Sequence, residues 1–419
     1  MVVLDVQKQN RNRLKDYCMH MTHKNLSLSS ARPSQSFAWV RRFVLSCAMA
    51  FSLILLGVSH VEAAAITSNV SGNWSATAWP NTTRTGTITT ATNSTTVTGS
   101  GTSFTTEISV GNIIKTTGGT VIGTVASIQS NTSLTLASNA ASANTAIAFA
   151  SQGVGSGDDV TILNGAFIVV DGVFTCNSVA TKDPSNGSSS STLIVSSSNS
   201  LTITGSFTIT GNSKGNEAIT IMGPGAISAA SFTANTVSPS GNTSPATLSV
   251  SIKIAQFTVS NNFSVNSAFS TSGSKIINTS CSLDSTVRLT IGGLLSTTLA
   301  NNTNNLASVS FDIGSGSSTL KLSAASPISV AVANGATSTF ILNGTGATVD
   351  YTGTAQTVYG TTYNNLTLSG SGIKTISGVT VNGILSLEGT ATASAAPTYG
   401  TGPPCNTRVL PHRPPGLNL

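Results

Sequence analysis

From Leu201 to Thr210 the chain reads Leu-Thr-Ile-Thr-Gly-Ser-Phe-Thr-Ile-Thr. Leu201, Ile203, Phe207 and Ile209 fall on one side of an extended backbone, and Thr202, Thr204, Ser206, Thr208 and Thr210 on the other. Successive strand side chains point to opposite faces, so the alternation predicts one half-buried strand with a hydroxyl-rich outer surface. Shorter echoes follow almost to the C-terminus: Ile219-Thr220-Ile221, Ile252-Lys253-Ile254, Phe257-Thr258-Val259, Phe263-Ser264-Val265, Leu289-Thr290-Ile291, Leu320-Lys321-Leu322, Phe340-Ile341-Leu342, Leu366-Thr367-Leu368, Val379-Thr380-Val381 and Leu385-Ser386-Leu387. Each is short, bounded by Gly, Asn or Ser, and irregularly spaced.

Many short strands with frequent turns fit two architectures. In a right-handed parallel β-helix each coil offers its apolar residues to a shared interior, and only stacking of coils satisfies the backbone groups. A chain of β-sandwich domains is the competitor. Dense small turns and the abundance of Ser, Thr and Asn, which stack in ladders, favour the solenoid, over residues 153–402.

Upstream the grain differs. Thr95-Thr96-Val97-Thr98, Val110-Gly111-Asn112-Ile113-Ile114, Val121-Ile122-Gly123-Thr124-Val125 and Leu134-Thr135-Leu136 lie about ten residues apart with Gly and Asn-Thr-Ser turns between them. That spacing predicts a compact antiparallel β module over 86–152. Its string Gly-Ser-Gly-Thr-Ser-Phe, then Val-Gly-Asn-Ile-Ile, resembles small β modules of phage tail and bacterial surface proteins. On either side stand Trp79-Pro80 and Gly157-Asp158-Asp159-Val160-Thr161-Ile162. Together these resemble the opening of secreted β-helix proteins of bacterial surfaces, in which a first hairpin caps the solenoid. The module is thus expected to be inserted into a cap that begins at 66–85. Tyr363-Asn364-Asn365-Leu366-Thr367-Leu368-Ser369-Gly370-Ser371-Gly372 resembles repeats of adhesin-like extracellular proteins, which implies a structural or adhesive role.

Charge changes the picture only once it is located. The formal net charge is +6, but residues 1–65 hold eight Lys/Arg against three Asp/Glu, whereas the body from Ile66 to Gly402 carries nine basic and ten acidic residues. No basic footprint for nucleic acid remains. The leader itself runs Arg41-Arg42, an apolar stretch from Phe43 to Val58, then Val61-Glu62-Ala63-Ala64-Ala65. This is the order of a secretory signal, with cleavage expected near Ala65. The apolar stretch is shorter than the ~20 residues of a membrane span, so no integral span is expected after the signal is removed. The body is therefore expected to be exported, extracellular or on the cell surface. Residues 403–419, rich in Pro and without alternation, read as an irregular tail unable to add a rung, either natural or the remnant of an interrupted repeat.

Candidate chemistry is sparse. Histidine occurs only at 20, 23, 60 and 412, so the body offers no His-based triad or His metal site. Cys176 and Cys281 read either as a disulfide formed after export or as two small buried residues. Asp158 and Asp159, with Asp171, are the candidate ligands for a calcium ion; as turn residues they equally cap backbone groups. No other cofactor is expected. Tyr351, Tyr359 and Tyr363 read as a carbohydrate or partner surface, or as packing at rung edges. The functional expectation is a non-enzymatic extracellular or cell-surface scaffold for a matrix, polysaccharide or surface partner. Its rival is a polysaccharide-active lyase or hydrolase using Asp and Glu, which would need carboxyls about 5–9.5 Å apart.

Overall fold

A computed structural model of the chain describes residues 64–68, 70–76, 78–182, 188–211, 215–238, 245–269, 277–300, 307–332, 337–400 and 407–409. The leader up to residue 63 lies outside them. From Ala65 onward nearly every element is a strand; the one helix described is the single turn Phe104–Glu107.

The parallel strands wind into a β-solenoid with three strips. The first stacks Ala65–Thr67, Asp159–Leu163 and Ser178–Lys182. It continues through Phe207 and Phe232 to Phe263–Phe269, Leu295–Ala300 and Ile328–Val332. The second runs from Gly72–Asn73 through Phe167–Val170 and Ser189–Val195 to Ile277–Leu283, Ala307–Asp312 and Thr337–Ile341. The third begins at Val173–Cys176 and passes through Arg288–Ile291, Thr319–Leu322, Thr348–Tyr351 and Asn365–Leu368 to Leu385–Leu387. Ser200–Gly211, Gly215–Ser238 and Ala246–Val259 turn corners and serve more than one strip.

The Leu201 to Thr210 ladder is one such corner. Leu201 and Ile203 stack on Phe174 and Cys176 in the third strip, while Phe207 pairs with Val179 in the first. The register shifts between Ile203 and Ser206. Gly205 makes this turn possible, because a Cβ there would sit 2.8 Å from the Asn177 carbonyl oxygen. The predicted single strand is therefore a bent one whose apolar residues feed a common interior from two sides.

That interior is aromatic along much of its length. Phe207, Phe232 and Phe263 succeed one another at 5.4 and 4.4 Å between ring centres, then Phe311, Phe340 and Tyr359 continue at 5.8, 6.1 and 5.8 Å. Edge-to-face and offset contacts at these separations add to the gain from burial. Several polar residues that also point inward satisfy one another. Thr279 donates to Thr236 at 2.8 Å and lies 2.7 Å from the Ser267 hydroxyl; Thr297 and Ser338 share a bond of 2.6 Å.

Coil length changes along the solenoid. Ser264 and Ser296 bond across a separation of 32 residues and Ser280 and Ser249 across 31, but Lys374 and Gln356 meet across 18 and Ile384 and Asn365 across 19. The later rungs enclose a smaller interior with shorter strands, Gln356–Thr357, Thr362–Tyr363 and Thr380–Val381.

The small module is a closed antiparallel barrel of six strands that begins with Asn81–Thr90, ahead of residue 86, and ends with Asn144–Gln152. It has its own core, including Ile88, Val97, Phe104, Ile114, Leu134 and Phe149. Its first and last residues, Asn81 and Gln152, pair with each other, so the solenoid chain leaves and re-enters at one point.

One expectation about the tail is corrected. Thr407–Val409 pairs in parallel with Leu385–Leu387. Pro403, Pro404 and Pro411 flank this triplet without entering it, so its own N–H groups are free to join the ladder. Cys176 and Cys281, the cysteines among the described residues, are unpaired and buried. Cys176 stacks on Ile203 in the third strip and Cys281 between Val250 and Phe311 in the second. Burial pushes both thiols well above their ordinary range.

Candidate functional surface

The outward residues form columns, because parallel in-register stacking places equivalent positions about 4.8 Å apart from rung to rung. On the third strip one column reads Thr175, Thr202, Ser228, Thr258 and Thr290 before it turns charged at Lys321 and Asp350. On the second strip Asn216, Thr247, Asn278 and Ser308 succeed one another beside Ala218, Ser249, Ser280 and Ser310. The columns hydrogen-bond along the axis: Thr247 donates to Asn216 at 2.7 Å, Ser308 to Asn278 at 2.8 Å and Ser280 to Ser249 at 3.3 Å. The result is an extended, nearly uncharged grid of hydroxyl and amide groups. Its chemistry is hydrogen bonding: these second-strip residues include no carboxylate, amine, imidazole or thiol that could activate a hydroxyl as a nucleophile.

The three aspartates suggested for calcium tie the barrel to the solenoid or bond neighbouring coils to each other. Asp158 is buried and takes a fork from Arg84, Nη1 to Oδ1 at 2.8 Å and Nη2 to Oδ2 at 2.9 Å, while the Gly155 N–H donates to Oδ2 at 2.6 Å. Arg84, on the barrel's first strand, also donates to Ser151 and to the Gly153 carbonyl. Burial pushes the Asp158 carboxyl above its usual value, and the Arg84 guanidinium pulls against it. Asp171 accepts from the Ser75 N–H and hydroxyl at 3.0 and 2.6 Å. Asn112 of the barrel donates to the carbonyl of the same Ser75. Asp159 accepts from Asn177 and Ser178 on the next coil. Among the described residues no group of three or more His, Cys, Asp or Glu is placed to hold a metal ion.

Trp74 and Trp79 are buried against each other, edge to face at 5.1 Å, within the solenoid core. The Trp79 indole N–H donates to the Trp74 carbonyl. Tyr351 and Tyr363 are interior as well, and Tyr359 is half-buried against the same core. The Tyr351 and Tyr363 hydroxyls meet at 2.8 Å, the Tyr359 N–H donates to the Tyr351 hydroxyl, and Tyr363 donates to the Tyr359 carbonyl. Tyr351 and Tyr363 therefore pack inside the coil, not at its surface. Ala65 lies in the first strand, opposite Asp159, and a cut after it would leave Ile66, the inward residue, as the first of the rung.

A second group of charges lies where the coils shorten. Asp350 accepts from Ser369 at 2.6 Å and lies 3.6 Å from the Lys321 ammonium; Glu388 accepts from Ser386. Burial raises the Asp350 carboxyl above its ordinary value, Ser369 and Lys321 oppose this, and the negative charge of Glu388 adds to it. Elsewhere acids have local partners: Glu107 with Thr85, Asp284 with Lys253 and Asp312 with the Gly314 N–H.

Two participants have no sequence signal of the kind used above. Arg84 is a lone cation in a Thr-rich strand. Lys374 follows Ile373 in Ser371–Thr375, where alternation by polarity predicts the isoleucine inside; instead Ile373 is 59% exposed and Lys374 0%. The Lys374 ammonium sits on the Gly353 and Thr354 carbonyls and on Gln356 Oε1.

No described helix is long and apolar enough to cross a membrane. Compared with known proteins, the chain matches no family model, no curated protein and no solved structure.

Proposed function

We propose that the chain is an exported, non-enzymatic surface scaffold of adhesin-like type, in which the solenoid displays its hydroxyl and amide columns to an extracellular polysaccharide, matrix or surface partner. The observation that carries the reading is the outward grid of the second strip, where Ser, Thr and Asn recur rung after rung and bond to one another along the axis. Many such groups acting together bind through multiplicity, each contact being individually small. The acids support the same reading, since most are engaged by backbone or side-chain donors that fix turns and the barrel junction.

The rival is a polysaccharide lyase or hydrolase, and one observation favours it: the Asp350 carboxyl lies 3.6 Å from the Lys321 ammonium and feels the negative charge of Glu388. The two readings part in one assay. Purified protein is incubated with common insoluble and soluble polysaccharides, and both co-sedimentation and reducing ends are measured. Binding without release of reducing ends is the expected result; release that disappears in Asp350→Asn would overturn the scaffold. Cell fractionation with N-terminal sequencing tests export, and an intact leader on cytoplasmic protein would overturn that part.

A further inference from the structure

We infer that Lys374 and Gln356 are the two halves of a self-forming cross-link, an isopeptide bond from Lys374 Nζ to Gln356 Cδ that joins adjacent rungs of the solenoid. The two are register partners on neighbouring strands, both side chains point inward, and both are buried. Nζ lies 2.7 Å from Oε1, so the carboxamide carbon is one bond beyond the atom the amine already touches. Proximity of this kind, imposed by the fold, replaces a bimolecular encounter.

The amide is held for acyl transfer. Oε1 accepts the Gly353 N–H at 2.8 Å, a fixed donor on the oxygen that gains negative charge when the carbon is attacked. Nε2 donates to the Leu322 and Ala324 carbonyls at 2.9 and 2.8 Å, which locks the orientation of the group. Burial excludes the water that would otherwise compete for the same carbon.

The amine has reason to react. Nζ donates to three neutral oxygens, and among the described residues no carboxylate forms an ion pair with it. A buried charge without a counter-ion is costly and is relieved by neutralisation. Burial lowers the ammonium's affinity for its proton, against a smaller opposing pull from Asp350, so more of the free amine is present than at a surface lysine. The balance is simple. Lys374 first releases one proton; neutral Nζ adds to Cδ; the Nζ–Cδ bond forms as Cδ–Nε2 breaks; one Nζ proton passes to the departing nitrogen, which leaves as ammonia. Nothing is oxidised or reduced, and no co-reactant is needed. The product is a neutral amide whose oxygen keeps the Gly353 donor.

Intact-mass measurement on the purified full chain tests this directly, after incubation at mildly alkaline pH. The expected mass is one ammonia below that of the sequence present, with a tryptic map that shows no cleavage at Lys374 and a branched peptide joining the two segments. Lys374→Arg and Gln356→Ala each restore the missing mass. Because the unsubstituted protein carries the decisive readout, failure of either variant to fold does not blunt the test. Protein that is folded by circular dichroism, has full mass and yields Lys374 with a free ε-amine would overturn the inference.

Discussion

Removing the Arg84 side chain would leave the Asp158 carboxyl in a site where both partners' side chains are 1–2% exposed. Breaking one half of a buried ion pair costs about 3–5 kcal/mol, so Arg84→Ala is expected to lower the denaturant midpoint markedly. Adding Asp158→Asn should recover part of the loss, since the stranded charge is then gone. Tyr351 gives a pH signature. Burial pushes its hydroxyl from 10.0 to about 12, so the folded state holds this proton more tightly than the unfolded state. Its contribution is complete below pH 10 and is lost as pH rises toward 12. Thermal melts across that window should show a steeper decline for the unsubstituted protein than for Tyr351→Phe, which has no proton to lose there. Equal slopes would argue against a buried, neutral phenol.

At the scale of the strand, inward and outward positions differ sharply in what they tolerate. Phe263 contacts Phe232, Phe257 and Phe311 in the interior, and truncating a buried Phe costs about 3–5 kcal/mol. Phe263→Ala is therefore expected to destabilise strongly, while Thr202→Ala, on the outer column, should change stability by no more than about 0.5 kcal/mol. Equilibrium denaturation of the two variants compares them. The alternation that separates these residues was legible in the sequence because neighbouring side chains of a strand must part to opposite faces. The corner at Gly205 was not, since both halves of the ladder keep the same parity and only the stacked Asn177 carbonyl reveals the bend. Nor was the inversion at Ile373 and Lys374, because what draws the lysine inward is a set of carbonyls supplied by the coil before it. Asp158 was visible as a turn residue, but its partner Arg84 lies 74 positions away, and no local pattern links them.

Across the whole molecule, the pairing of Asn81 with Gln152 and the separate barrel core make the module removable in principle. Replacing residues 81–152 by a short Gly-Ser linker, with Asp158→Asn so that no carboxylate is left without Arg84, is expected to preserve the β-sheet circular dichroism of the solenoid. Loss of that signal would mean that the barrel is needed to nucleate the stack. The solenoid and the inserted module were legible from strand length and turn chemistry, whereas the shortening of the coils was not, because irregular loops mask the repeat.

That shortening bears on how the rod would respond to load. The bonds between rungs run along the long axis, perpendicular to the strands, so tension applied between the two ends passes through every rung in series. Such a chain of joints yields at whichever joint has the fewest bonds. Two-residue strands such as Gln356–Thr357 and Thr380–Val381 leave few backbone bonds per strand at the narrow end, and a covalent link between Gln356 and Lys374, which joins those same rungs, would carry the load there.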